Sequence, residues 1–445
     1  MRRMKWQGFK QKMRTAKQRY TPDKEGMERL RGDVRDGMDD ISRRVDEAME
    51  PHDPIYREKI HEEPEKIEDR VLVRGHIDTT FLFIVIAISL FGAIMAYSAS
   101  SVYASQYHED SAYYLKRHIA YLLIGFGVSA FFVWKARPWF WRFFGVLSYA
   151  GSIVLLLLVL VMGVSYESGA TRWIQLGPIS IQPSEIAKMA VVMMIALVMS
   201  KHEKQISIHQ KFGGHFQYAV LYPMLLFGFV CGLVALEHHL SGIIIIGMLG
   251  MVTMFLGGTH IKYFAIIGGV GAIAVVAILL VSDYAMLRVT TWLNIDSVDP
   301  LGSAWQTLQG LNAIGSGGFF GVGLGNSRQK YGYVSQPQND FIFTIICEEL
   351  GFIGAFCVVL LFGLLVWRGF RIASKAPDKF SALVIYGLTA KVALQTILNI
   401  AVVTNSVPNT GIALPFFSSG GTSLILQIFE MGIILSLSRY SYQKR

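Results

Sequence analysis

The stretch QPQNDFIFTIICEELG, residues 336–351, sets three carboxylates, Asp340, Glu348 and Glu349, at and inside the start of an apolar run. A carboxylate at a membrane boundary can take the proton of an attacking hydroxyl, and partial desolvation raises its pKa and improves it as a base. Asp340, at the lip of the run, is the candidate for that role. The same position suits a helix N-cap, so residue type alone leaves base and cap both open. At about 1.5 Å and about 100° per residue, Glu348 and Glu349 lie roughly 12 Å deeper, Glu349 on the opposite face and Glu348 about 80° round. They read as a buried polar network tying their helix to its neighbours, because an ionisable group inside a span faces a partner or a cavity.

A second set of residues could hold an anion. The glycine cluster GSGGFFGVGLGNS, residues 315–327, lets backbone approach a ligand closely, and Arg288, Arg328 and Lys330 share its segment. Together they suggest a site for a phosphate-bearing substrate. In SYESGATRWIQLGPISIQPSEIAKM, Arg172 precedes a helix start at Pro183 and Ser184. Lys188, one turn further in, pairs either with Glu185 or with substrate phosphate, since an unpaired charge there is expensive. Lys116 and Arg117 are candidates of the same kind, with interfacial snorkelling as their plainer explanation.

The elements that must carry these groups are membrane helices. The chain has 445 residues, 52% hydrophobic and 16% charged, with a mean hydropathy of +0.41. Charge is dense before residue 78 and absent from 79–99. A run of about 20 apolar residues crosses a bilayer as a helix, and this one lies too deep in the chain and is too long for a cleavable signal peptide. About ten spans are expected, near 79–99, 118–134, 144–163, 186–200, 217–235, 240–257, 263–282, 341–367, 381–404 and 421–437. Basic residues favour cytoplasmic loops. Lys135, Arg137 and Arg142, then Lys201, Lys204 and Lys211, then Lys262, then Arg368, Arg371, Lys375 and Lys379 all fall on one side. The fold class is therefore an all-α polytopic membrane protein with both termini cytoplasmic. A large extracellular loop, 283–340, lies between spans seven and eight.

The expected organisation is a charged, disordered tail at 1–77, a membrane domain at 78–438 and a short basic tail at 439–445. The first 20 residues are basic without acids and suit an anionic inner leaflet, whereas 21–77 carry more acids than bases. No fold-forming motif accompanies this charge, so no nucleic-acid partner is expected. Cys231, Cys347 and Cys357 read as small buried hydrophobes without metal or disulfide spacing. No metal site is expected. No internal repeat of the kind that marks many transporters is visible.

The motifs SAS, GATRWIQLG…IQPSE…K, DP.GS..Q..Q…AIGSGG..G.GLGNS.QK, NDFIF..I.EELG and PNTGIALPF.SSGG.S, in this order over about residues 80–440, resemble the SEDS family, which includes FtsW, RodA and SpoVE. The wording of RWI.LG…IQPSE and GLGNS.QK is closer to FtsW or its sporulation relative than to RodA. The resemblance implies a peptidoglycan glycosyltransferase that polymerises lipid II into glycan strands outside the bacterial cytoplasmic membrane during cell division. An undecaprenyl diphosphate leaves, and a class B penicillin-binding protein is the transpeptidase partner among other divisome proteins. It places the catalytic aspartate at Asp340. Arg172, Lys188, Arg288, Gln306, Lys330, Ser418 and Gly420 are candidate substrate contacts, with Glu185, Glu348 and Glu349 as structural support. No cofactor is implied with certainty, and a divalent cation is left open. Lipid II flipping, a scaffold without catalysis, and RodA-like or SpoVE-like roles are the rival readings. The sequence departs from the family where many members carry QPDLGT. Here EHHLSG puts His239 in place of an aspartate, so that either Glu237 supplies the lost carboxylate or the local role is absent. Ser419 likewise stands where SYGG has its tyrosine.

Overall fold

The computed structural model describes residues 70–444 apart from 166–170, 178, 208–213, 282, 296–301 and 303. The expectations for residues 1–69 lie outside the described residues. Val71–Arg445 forms a compact unit of its own.

Among the described residues, ten helices coincide with the ten apolar windows. They are α1 (Thr79–His108), α2 (Tyr113–Lys135), α3 (Pro138–Met162), α4 (Pro183–Lys201), α5 (Gln217–Leu236), α6 (Leu240–Leu256), α7 (Ile261–Val281), α10 (Ile342–Ala373), α11 (Lys379–Val403) and α12 (Thr422–Ser438). Two further helices, α8 (Asp283–Leu293) and α9 (Trp305–Gly317), occupy the expected long loop. Seven helices, α1 to α5 with α10 and α11, are long and apolar enough to cross a membrane, while α6 and α12 have 17 residues each. At about 1.5 Å per residue, 17 residues reach roughly 26 Å, just short of a hydrocarbon core of about 30 Å.

Helix ends differ from the apolar windows because a helix stops at a cap, not where hydrophobicity fades. Helix α1 starts at the Asp78 cap, whose carboxylate accepts from Phe81 N at 2.9 Å, and runs nine residues past 99 to His108. Asp378 caps α11 in the same way, and Pro138 and Pro183 open α3 and α4. Strands β1 (Arg70–Arg74) and β5 (Tyr440–Lys444) pair, so the sequence flanking the membrane domain closes on itself. Strands β2 (Val164–Ser165), β3 (Thr171–Leu176) and β4 (Ile179–Ile181) form an antiparallel sheet between α3 and α4.

Helices α4 and α11 are central, with 67% of their most apolar windows buried, against 28% in α2 and α10. Within a bilayer, lipid is as apolar as leucine, so small residues rather than hydrophobicity bring helices together. The α2–α12 contact follows that rule. A Cβ on Gly432 would lie 2.6 Å from Ser129 Cβ, and Ser129 Oγ donates to Ile428 O at 3.0 Å. Cys347 is buried as expected. Cys357 is instead exposed on α10 and Cys231 is half-buried, because both stand on helices with a face left open for lipid.

Helix α10 is broken at Gly351, where φ is 65° and ψ is −163°. The segment after α9 seats in the break. Val322 N donates to Glu348 O at 2.9 Å, Gly323 N to Glu349 O at 3.0 Å and Phe352 N to Gly318 O at 2.9 Å. Side chains at this crossing are excluded, since a Cβ on Gly317 would lie 1.9 Å from Cys347 O.

Topology has a direct test. Ser335, in the segment before α10, and Ser374, between α10 and α11, are both exposed. In a cysteine-free background, Ser335→Cys is expected to react with a membrane-impermeant maleimide in whole cells and Ser374→Cys only after lysis. The opposite pattern would invert the orientation read from the basic loops.

Candidate functional site

A cavity of about 790 Å³ opens at the end of the bundle where α2, α4, α6, α10 and α12 begin. Asp340 stands on its wall, two residues before α10. The N-cap of α10 is Phe341 without a side-chain cap bond, so Asp340 does not cap the helix. Its position is instead fixed through backbone. Asn399 Nδ2, on α11, donates to Asp340 O and to Ile412 O, both at 2.7 Å. Ser418 Oγ donates to Asn339 O at 2.6 Å and accepts from Leu414 N at 2.8 Å. Gly411, at φ 67°, lies opposite, and a Cβ there would come within 3.4 Å of Asp340 Oδ2. The carboxylate is thus held by its main chain and left open to the cavity. Burial pushes its pKa above the ordinary aspartate range, against its own backbone N–H and the nearby Arg288 guanidinium, which pull it down.

Of the expected substrate contacts, Arg172, Lys188, Arg288, Ser418 and Gly420 line the same cavity. Arg288 reaches it from α8 and donates to Asn409 O, while Trp292 Nε1 fixes α8 by donating to Asn405 O at 2.9 Å. Ser418 serves the backbone bonds just described. Two expected contacts are placed elsewhere. Gln306 is half-buried and donates to Ser335 O at 3.2 Å, outside the cavity lining. Lys330 is buried, with Nζ 2.6 Å from Gly325 O and 3.0 Å from Glu349 Oε1, because desolvation forces a buried ammonium onto a carboxylate. Lys116 pairs with Asp110 at 2.8 Å outside the cavity, whereas Arg117 lines it and bonds Tyr113 and Tyr121 hydroxyls.

Glu348 and Glu349 do not line the cavity. Glu348 accepts from Ser327 Oγ and from Arg328 N at 2.9 Å. Glu349 accepts from Ser98 Oγ of α1 at 2.5 Å, from Ser327 N at 3.3 Å and from Lys330. These carboxylates anchor the 325–330 segment to α10 and α1.

The cavity floor holds a chain of charges. Glu185 Oε1 meets Lys188 Nζ at 2.5 Å, and Glu185 Oε2 lies 3.6 Å from Lys391 Nζ, which meets Glu430 Oε1 at 2.6 Å. Lys391 and Glu430 are fully buried. Sequence reading passed over both, although single charges inside α11 and α12 carry the same signal that singled out Lys188. Among the described residues, no three His, Cys, Asp or Glu side chains gather in a way that could hold a metal ion. His239 and Ser419, the two departures from the family wording, both stand on the cavity wall.

Comparison with known proteins gives consistent relatives. A family model for FtsW, RodA and SpoVE, described as cell cycle protein, matches residues 78–443. Stage V sporulation protein E of Bacillus subtilis is 40% identical over 368 residues, covering 82% of this chain and 97% of that protein. A protein of Trichlorobacter lovleyi named "probable peptidoglycan glycosyltransferase FtsW" is 37% identical, covering 81% of this chain and 93% of its own. Among solved structures, a chain of a peptidoglycan synthase complex that coordinates polymerization and crosslinking superposes with a TM-score of 0.66 at 28% identity, covering 82% of this chain and 98% of that one. RodA of Thermus thermophilus superposes with a TM-score of 0.60 at 26% identity, covering 82% and 97%.

Proposed function

This chain belongs to the FtsW, RodA and SpoVE family, and from that premise we propose that it is a peptidoglycan glycosyltransferase polymerising lipid II on the outer face of the bacterial cytoplasmic membrane. The observation that carries the reading is an aspartate, Asp340, held by its backbone on the wall of a cavity also lined by Arg172, Lys188 and Arg288. In the reaction, Asp340 accepts the proton of a sugar hydroxyl as that oxygen attacks the anomeric carbon of a second lipid-linked saccharide. The bond from that carbon to the diphosphate breaks, and the polyprenyl diphosphate leaves. One inverting displacement needs one base and no carboxylate nucleophile, which fits a cavity whose other lining carboxylate, Glu185, is paired with Lys188. Cations on the wall, Arg288 and Arg172 among them, offset the negative charge that develops on the departing diphosphate.

The partner proposed is a class B penicillin-binding protein, and the cellular role proposed is septal wall synthesis. The 40% identity to a sporulation protein makes sporulation wall synthesis the second reading of that role. Purified protein in detergent, given lipid II with and without the transpeptidase, is expected to yield a ladder of glycan strands on a gel. No polymer in detergent, together with lipid II movement across vesicles containing the protein, would replace the polymerase by a flippase.

A further inference from the structure

The turn between α5 and α6 is built to bring one side chain to the cavity. Helix α5 ends at Leu236, and His238 takes φ 54°, a left-handed conformation uncommon for a residue with a side chain. The amides of His238 and His239 bond back to Ala235 O at 3.0 Å and Val234 O at 3.3 Å. From the other side, Arg172 on β3 donates to His238 O at 2.8 Å. Ser241 Oγ ties the start of α6 to Thr410 O at 2.8 Å, beside the loop that faces Asp340. A turn held from both flanks in an unfavourable conformation marks a position that the surroundings over-determine.

What this turn delivers is the imidazole of His239, which lines the cavity and is only 7% exposed. Gly242 makes room for it: a Cβ there would lie 2.8 Å from Nδ1 and 3.1 Å from Cε1. Nδ1 is sealed against that glycine and has no hydrogen-bond partner among the described residues. Nε2 is then the polar atom left for the cavity. Burial, with Arg172 and Lys188 nearby, pushes the pKa down to about 3 despite Glu185, so the ring is neutral. A neutral imidazole offers one donor and one acceptor and brings no charge to a phosphate. The wall already has cations for phosphate.

We infer that His239 is a specificity residue that hydrogen-bonds an uncharged polar group of the saccharide, a hydroxyl or acetamido, while neighbouring cations take the diphosphate. The inference rests on the polymerase reading for its ligand. It also gives a reason for Gly242, which any side chain would turn into a wedge against the ring.

The test is to measure binding of two ligands by the purified full chain in detergent: lipid II, and undecaprenyl diphosphate, which carries the same tail and phosphates without sugar. His239→Leu is expected to weaken lipid II about tenfold, the loss of one well-placed hydrogen bond, and to leave undecaprenyl diphosphate within about twofold. His239→Asn, which keeps a donor and an acceptor, is expected to recover most of the lipid II affinity. Gly242→Ala, which moves the ring without altering it, is expected to follow His239→Leu. Equal weakening of both ligands would make His239 a packing or phosphate residue, and unchanged binding of both would remove it from the substrate; either overturns the inference. Both measurements are of binding, so wild-type protein that binds lipid II but makes no glycan defeats the polymerase reading while the comparison still decides His239. Wild-type protein that does not bind lipid II defeats both.

Discussion

Asp340→Asn is expected to fold, to insert and to bind lipid II with near wild-type affinity, while making glycan about 10²–10⁴-fold more slowly, the usual contribution of a general base. The amide is nearly isosteric, and the bonds that place this residue run through its backbone carbonyl to Asn399 and through Asn339 O to Ser418, none of which the substitution touches. What is lost is the negative charge and, with it, the basicity. Asp340→Glu retains the charge but moves it by about 1 Å, which can itself cost about 10²-fold. The pH profile supplies an independent readout. A base must be deprotonated to work, and burial raises the pKa of this carboxyl. Activity is therefore expected to fall as pH drops through a value above that of an ordinary aspartate, and this acidic limb should vanish from the residual rate of Asp340→Asn. Full activity of the asparagine variant on lipid II in detergent would take the base away from Asp340.

Lys391→Met is expected to destabilise the protein by about 3–5 kcal/mol, because breaking a buried ion pair strands the remaining charge. Here the stranded charge is Glu430, which loses its 2.6 Å partner, while Glu185 keeps Lys188. Pairing the change with Glu430→Gln removes the orphaned charge and leaves Glu185 with Lys188 as a neutral unit. The double variant is expected to recover most of the loss, since replacing a buried pair as a whole is often neutral. Thermal unfolding in detergent would measure both. A single variant as stable as wild type would mean that solvent from the cavity screens the chain down to Glu430.

The sequence carried the helices well because a bilayer imposes a length and a composition on any segment that crosses it. Polar extensions such as Ser100–His108 were invisible to the same argument, since a cap and not a change in hydropathy ends the helix. At the site, Asp340 was legible from its place at the lip of an apolar run, and Lys188 from its charge inside one. Lys330 was misplaced for a physical reason. Its neighbours in the sequence are glycines and polar residues that suggest an open loop, whereas Glu349, nineteen residues later, draws it into the protein. Lys391 and Glu430 lie 39 positions apart, so the pairing that makes both tolerable exists only once α11 and α12 meet. His239 could be flagged as a departure, but its function as a cavity wall depends on a turn, an arginine from β3 and a glycine that no local pattern joins.

The break in α10 bears on how the chain is made. Inside hydrocarbon each bare backbone donor or acceptor costs several kcal/mol, so Gly351 is tolerable only when residues 318–323 are already seated against it. Those residues precede α10 in the chain and leave the ribosome first. The plug is therefore made before the interrupted helix needs it, and a membrane insertase handling Ile342–Ala373 receives a segment whose missing partners have already been synthesised. Order of synthesis thus supplies what the lipid cannot, and a broken helix becomes safe to insert.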